Sequence, residues 1–158
     1  MALKIITIAL LGMLPVSELR GAIPYGIVSG LNPVTVFITA VASNMLVAPL
    51  TFLFLDYVHH HLMLFRAYGK LFGKFVERTK HKAHGHISKY GYLGLMLLVA
   101  APLPFTGAYT GALAAWLFGM ERKKAFAAIS AGVIAAGIIV MALSLAGTGV
   151  WGFINSIT

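Results

Sequence analysis

Cysteine is absent from the 158 residues, and only 4 residues are acidic. Without cysteine there are no disulfides, no cysteine-based zinc sites and no thiol catalysis. Charged residues make up 10% of the chain against 59% hydrophobic, and mean hydropathy is +0.90. That balance excludes a soluble domain and describes a small integral membrane protein. Catalytic signatures are missing as well: there is no Gly-x-Ser-x-Gly, no His-Glu-x-x-His and no P-loop. The chain therefore reads as a non-enzyme that calls for no cofactor. Without a P-loop, ATP-driven transport would need a separate subunit.

The charges that are present are mostly basic and clustered, for a net charge of +8. Arg66, Lys70, Lys74, Arg78, Lys80, Lys82 and Lys89 fall in one central segment, and Arg122, Lys123 and Lys124 in another. Both clusters flank apolar segments. The positive-inside rule accounts for them better than nucleic acid does, and places residues 57–90 and 121–124 on the cytoplasmic side. The first apolar stretch does not read as a signal peptide. One Lys precedes it, and it runs into Glu18 and Arg20 with no small-residue cleavage site.

The chain repeats itself at an offset of 89. Leu14-Pro15-Val16-Ser17 returns as Leu103-Pro104-Phe105-Thr106, Gly30 as Gly119, Phe37 as Phe126 and Ala42 as Ala131. Two apolar halves, each broken by proline at the same point, point to a transporter-like site near the bilayer midplane. Residues 3–16 are apolar but reach only roughly 21 Å as a helix, short of a hydrocarbon core of roughly 30 Å. Pro15 and Pro24 interrupt the helix further. Residues 3–30 thus read as a re-entrant hairpin with its tip near 17–21. Asn32-Pro33 starts a spanning helix over 34–55, ending at Asp56, in which Pro49 makes a kink. Residues 62–78 carry a basic stripe (Arg66, Lys70, Lys74, Arg78) and an apolar one (Phe65, Tyr68, Phe72, Phe75, Val76), which suits an interfacial helix on anionic lipid. Residues 80–89 read as a polar loop, 91–119 as a second hairpin with its tip at 102–107, and 125–146 as a second spanning helix. The small residues of that helix fit close approach within the subunit or in a homodimer.

The expected fold is all-α and integral to the membrane. It is an inverted repeat of re-entrant hairpin plus transmembrane helix, with an interfacial amphipathic helix between. The whole of 1–158 forms one membrane domain: repeat 1 over 3–56, an amphipathic linker over 57–90, and repeat 2 over 91–146. If both hairpins are re-entrant, they enter from opposite faces.

Ionisable residues at bilayer depth are expensive and by default mark a pathway or a site. Glu18 and Arg20 stand beside the first helix break. Glu18 is the candidate for carrying a coupling proton, since burial and a neighbouring cation pull a carboxyl's affinity for protons in opposite directions. Arg20 is the candidate for binding an anionic group or for holding Glu18. The plainer alternative is an ion pair that ties the hairpin tip to a helix end. The second tip offers Thr106, Tyr109 and Thr110 but no charge. Asn44 serves either as interhelical glue or as a pathway residue. Asp56 reads as a solvated helix-end charge, and Glu121 beside Arg122 as a boundary charge. His59–His61 and His81, His84 and His86 look like metal tracts, yet no carboxylate or cysteine accompanies them at motif spacing, so no metal site is assigned.

Leu14-Pro15-Val16-Ser17-Glu18-Leu19-Arg20-Gly21-Ala22-Ile23-Pro24 and Pro102-Leu103-Pro104-Phe105-Thr106-Gly107-Ala108 resemble the small multidrug export protein family of prokaryotes, which is related to the DedA/VTT superfamily. The resemblance covers nearly the whole chain. It implies two facing re-entrant hairpins, a prokaryotic plasma membrane and a transport role. Its motif core would be Glu18, Arg20, Gly21 and Pro24 with Pro104, Thr106 and Gly107, flanked by Ser17. Phe105 departs from the pattern, standing where glycine is expected. DedA proteins proper carry arginines in the second hairpin, where Ala101 and Gly107 stand here. The first functional reading is an ion-coupled, proton-driven secondary exporter of a small amphipathic or lipid-like substrate. The second is a flippase or scramblase for a phosphate-bearing lipid such as undecaprenyl phosphate. The third is a membrane scaffold without transport.

Overall fold

The computed structural model describes residues 1–58, 66–101 and 106–157. The His59–His61 tract, the start of the expected interfacial helix at 62–65, and Pro102 and Pro104 of the second tip lie outside the described residues, as do the side chains of His84 and His86. The protein is all-helical, with no strand among the described residues. The helices are α1 (Ala2–Met13), α2 (Glu18–Val28), α3 (Pro33–Met45), α4 (Val47–Leu53), α5 (Arg66–Ala100), α6 (Ala108–Leu117) and α7 (Arg122–Ile157); a π-helical turn (Phe54–Val58) follows α4. Two stretches are long and apolar enough to cross a membrane, Pro33–Tyr57 and Arg122–Gly147. Their outer faces carry exposed Val34, Ile38, Ile138 and Leu143. Apolar side chains turned outward along a spanning-length helix are what a lipid-facing surface carries.

The residues segregate into two compact units, one of Met1–Asn44 with Ile134–Thr158 and one of Met45–Val133. In the first unit α1 and α2 form a helical hairpin. The Lys4 ammonium donates to the Ser29 carbonyl oxygen at 2.9 Å, placing a cation on the C-terminal end of α2. In the second unit α6 packs against α4 and α5.

Local endings recur at the 89-residue offset. The chain leaves α2 at Gly30 and α6 at Gly119, with φ of 75° and 61°. Leu31 N–H bonds to Gly26 O at 3.2 Å, and Met120 N–H to Ala115 O at 2.9 Å. These are matching Schellman endings, and glycine is favoured there because only it adopts positive φ without penalty. The next helices begin at Pro33 and Arg122, again 89 apart. Asn32 caps the first of them by accepting from Val34 N–H at 2.9 Å.

Several expectations change. The spanning helix expected over 34–55 is present as a helical stretch over Pro33–Tyr57, marked by a turn at Leu46, whose φ −65° and ψ −20° stay helical, and by the closing π-helical turn. Pro49 has no N–H to offer the carbonyl of Met45, which accounts for that local irregularity. Residues 80–89 are helix, not loop. The reason is periodicity. Thr79, Ala83 and Ile87 are buried at helical spacing, while Lys80, His81 and Lys89 face outward, so the polar run is only one face of a helix. The stretch expected as an interfacial helix therefore runs on to Tyr90, and Gly91 (φ 55°, ψ −123°) breaks the helical path between it and the apolar end of α5. The second spanning helix also starts three residues earlier and runs further than 125–146.

Candidate functional site

The first break follows directly from Pro15. A residue before proline is driven out of helical conformation, and Leu14 is extended at φ −75° and ψ 136°. Residues 14–17 separate α1 from α2, so the tip lies slightly earlier than 17–21. Val16 at the tip is almost fully exposed. The Ser17 hydroxyl reaches back across the break and donates to the Leu11 carbonyl oxygen at 2.5 Å, satisfying a carbonyl in the last turn of α1. Gly21 N–H donates to Ser17 O at 3.0 Å. A Cβ on Gly21 would lie 2.7 Å from the Ser17 Cβ, so glycine is what lets the first turn of α2 close on the break.

Glu18 opens α2. It is buried, with 9% of its surface exposed, and its φ is +44°. Among the described residues it is the one non-glycine at positive φ. Its placement in the first turn sets a carboxylate at the positive end of the helix dipole. Arg20 is half-buried two residues on, and the two charges interact electrostatically. Pro24 sits inside α2 and withholds an N–H from the preceding turn. Asn44, 1% exposed, donates from Nδ2 to the Gly12 carbonyl oxygen at 2.8 Å. That bond ties α3 to the end of α1 and holds one wall of the break in place. Ser17, Glu18, Arg20, Gly21, Pro24 and Asn44 thus belong to the first unit.

The second unit holds the other break. Thr106 is buried and donates its hydroxyl to the Ala101 carbonyl oxygen at 2.7 Å. Thr106 stands 89 residues after Ser17 and performs the same closure on the end of α5. Gly107, 89 residues after Glu18, has φ 145° and ψ −164°, a region that glycine alone occupies readily. Tyr109 is half-buried and Thr110 buried at the start of α6. Both breaks therefore use a hydroxyl closure followed by a residue at positive φ. One break puts glycine there, the other a buried glutamate.

Asp56, read from sequence as a solvated helix-end charge, has a larger part. Asp56 and Arg122 form a two-pronged ion pair, with Nη2 to Oδ1 at 2.6 Å and Nη1 to Oδ2 at 2.5 Å. The guanidinium also lies 5.2 Å from the centre of the Phe52 ring. The pair joins the end of one spanning-length helix to the start of the other within the second unit. The available signal was opposite charge at the two helix ends. Glu121 pairs with Lys124 at 2.7 Å, a surface i,i+3 contact. Among the described residues no cluster of three metal-ligating side chains occurs.

A family model described as "Putative small multi-drug export protein" matches residues 18–139, beginning at Glu18, directly after the first break, and running past the second. No curated protein and no solved structure matches the chain.

Proposed function

The chain belongs to the small multi-drug export protein family, and from that premise we propose that it is a proton-coupled secondary exporter of small amphipathic molecules in a prokaryotic plasma membrane. Glu18 is the coupling carboxyl. The observation that carries this reading is the pairing of positions 18 and 107. At the 89-residue offset, position 107 holds glycine at φ 145°, whereas position 18 holds a buried, ionisable side chain at φ 44°. A strained backbone position occupied by a costly residue is where function outweighs stability.

In this reading Glu18 takes up and releases a proton at the helix break. Arg20 sets how readily it does so, and Ser17, Gly21 and Asn44 hold the break open. Thr106, Gly107, Tyr109 and Thr110 shape the second break. The two hairpins are re-entrant from opposite faces. The basic face of α5, with exposed Lys74 and Arg78, meets anionic headgroups on the cytoplasmic side. A carboxylate already occupies the first turn of α2, which leaves that helix end poorly suited to a lipid phosphate.

The test uses proteoliposomes with a pH gradient and trapped pyranine. Adding the neutral dye N-phenyl-1-naphthylamine is expected to start a proton flux through the wild type. Glu18→Gln, which keeps shape and removes the titrating group, is expected to show none while remaining folded. A wild-type flux in that variant would overturn the assignment.

The topology has its own test, helped by the lack of cysteine. Ala125 is fully buried, so a thiol there would be silent on either side, whereas Lys123 is exposed. In intact cells a membrane-impermeant maleimide is expected to label Ser29→Cys and to spare Lys123→Cys until the membrane is opened. The reverse pattern would rule out the proposed orientation.

A further inference from the structure

The second unit contains a cavity of about 490 Å³, walled by Thr51, Phe54, Leu55, Phe72, Tyr109 and Leu113 among others. Its walls come from α4, the π-helical turn, α5 and α6. We propose that this cavity binds a neutral aromatic small molecule. The inference builds on the export reading by naming a class of substrate and the place its apolar body rests.

Four observations support it. The volume lies within the range that takes a drug-sized ligand. Phe54, Phe72 and Tyr109 supply three rings, whose faces and edges favour another aromatic group. None of the described residues that line the cavity is charged, so these walls offer no counter-charge to an organic ion or a phosphate-bearing lipid head. Finally, the Thr51 hydroxyl is buried and makes no hydrogen bond. A buried polar atom without a partner is costly. Helical threonine divides between two χ1 rotamers, and rotation to the cavity side would let one polar atom of the ligand satisfy it. The wall is also built to change. It includes residues of a π-helical turn, an element frequent at functional sites, and Tyr109, which follows the second break by two residues.

The chain carries its own reporter. Trp116 lies three residues beyond Leu113 on α6, roughly 5 Å along the helix axis. The experiment uses the full chain in lipid nanodiscs with Trp151→Phe, so that Trp116 is the sole tryptophan, and N-phenyl-1-naphthylamine as the quencher. Dye dissolved in bilayer quenches without saturating; dye in the cavity adds a saturable component. Leu113→Phe fills the cavity and is expected to weaken that component roughly tenfold or more. Leu143→Phe, on an exposed face of the other unit, is expected to leave it unchanged. Tyr109→Leu removes a ring without overfilling and covers the case in which Leu113→Phe does not fold; it too is expected to weaken binding. Anilinonaphthalene sulfonate, the same body with a fixed charge, is expected to bind far more weakly. No saturable component, no response to both cavity variants, or equal binding of the sulfonate would each overturn the proposal. Displacement of the dye by short-chain phosphatidylcholine would assign the cavity to a lipid chain and overturn it too. Binding needs no transport, so the two readings fail separately. Saturable binding without dye-driven proton flux removes the exporter reading, and flux without saturable binding removes this one.

Discussion

Glu18→Gly is expected to yield a protein that is more stable than the wild type and unable to couple protons to transport. At φ +44° an L side chain is held in a region that costs of order 1–3 kcal/mol outside glycine. Gly107, 89 residues on, is also at positive φ, but at 145° where Glu18 is at 44°. Removing the side chain also removes the desolvation of a buried carboxyl, and against this stands the lost attraction to Arg20. The backbone saving is the larger, since Arg20 is only half-buried and retains access to solvent or headgroups, and a carboxylate in the first turn of a helix contributes only about 0.3–1 kcal/mol. A net gain of about 1 kcal/mol, or roughly 2–4 °C in melting temperature, is expected. Glu18→Gln keeps the strained backbone and loses only the charge, so it is expected to lose coupling without the gain. Thermal melts of both variants in nanodiscs, alongside the pyranine assay, separate the backbone contribution from the charge contribution. A glycine variant that melts below the glutamine variant would show that position 18 is not strained. Either variant coupling normally would show that its carboxyl is idle.

The first break was legible in the sequence because proline acts locally. Pro15 biases Leu14 out of the helix, and Leu14 is extended, whereas Pro24 and Pro49 stay within helices and only withhold an N–H from the preceding turn. The repeat was legible through Gly30 and Gly119, whose endings match bond for bond. What the linear pattern hid was set by contacts far apart in the chain. Residues 80–89 carry enough charge to resemble a loop, and only the burial of Ala83 and Ile87 identifies that charge as one face of a helix. Asp56 and Arg122 are 66 positions apart, so their pairing belongs to the fold. The positive φ of Glu18 was equally invisible. Its functional weight was argued from charge at depth, and the positive φ adds an independent, conformational reason.

Gly132→Val is expected to be the most damaging apolar substitution in the second unit. A Cβ at Gly132 would lie 2.7 Å from the Met96 carbonyl oxygen and 2.7 Å from the Val99 Cβ. The first obstacle is backbone in the apolar end of α5, so rotamer change cannot relieve it, and α7 must move away. Membrane helices gain little from hydrophobic exclusion and rely on close packing, so separation forfeits much of what holds the pair together. Overpacking of this kind costs typically 1–3 kcal/mol, and valine's branching places it at the upper end, about 3 kcal/mol. The shift also displaces Ala101, which accepts the Thr106 hydroxyl bond, so the second break loosens with it. Gly147 lies on the same helix with nothing near the position of its Cβ, and Gly147→Val is expected to stay within about 0.5 kcal/mol of wild type. The contrast decides what the small residues of α7 are for. Gly132 against α5, and Gly137 against Val41 and Phe37 in the first unit, are both used inside the chain. Melting temperature and the monomer–dimer ratio in nanodiscs read the outcome. A Gly132→Val protein that melts like wild type but loses a dimer would transfer that face of α7 from the fold to a subunit interface.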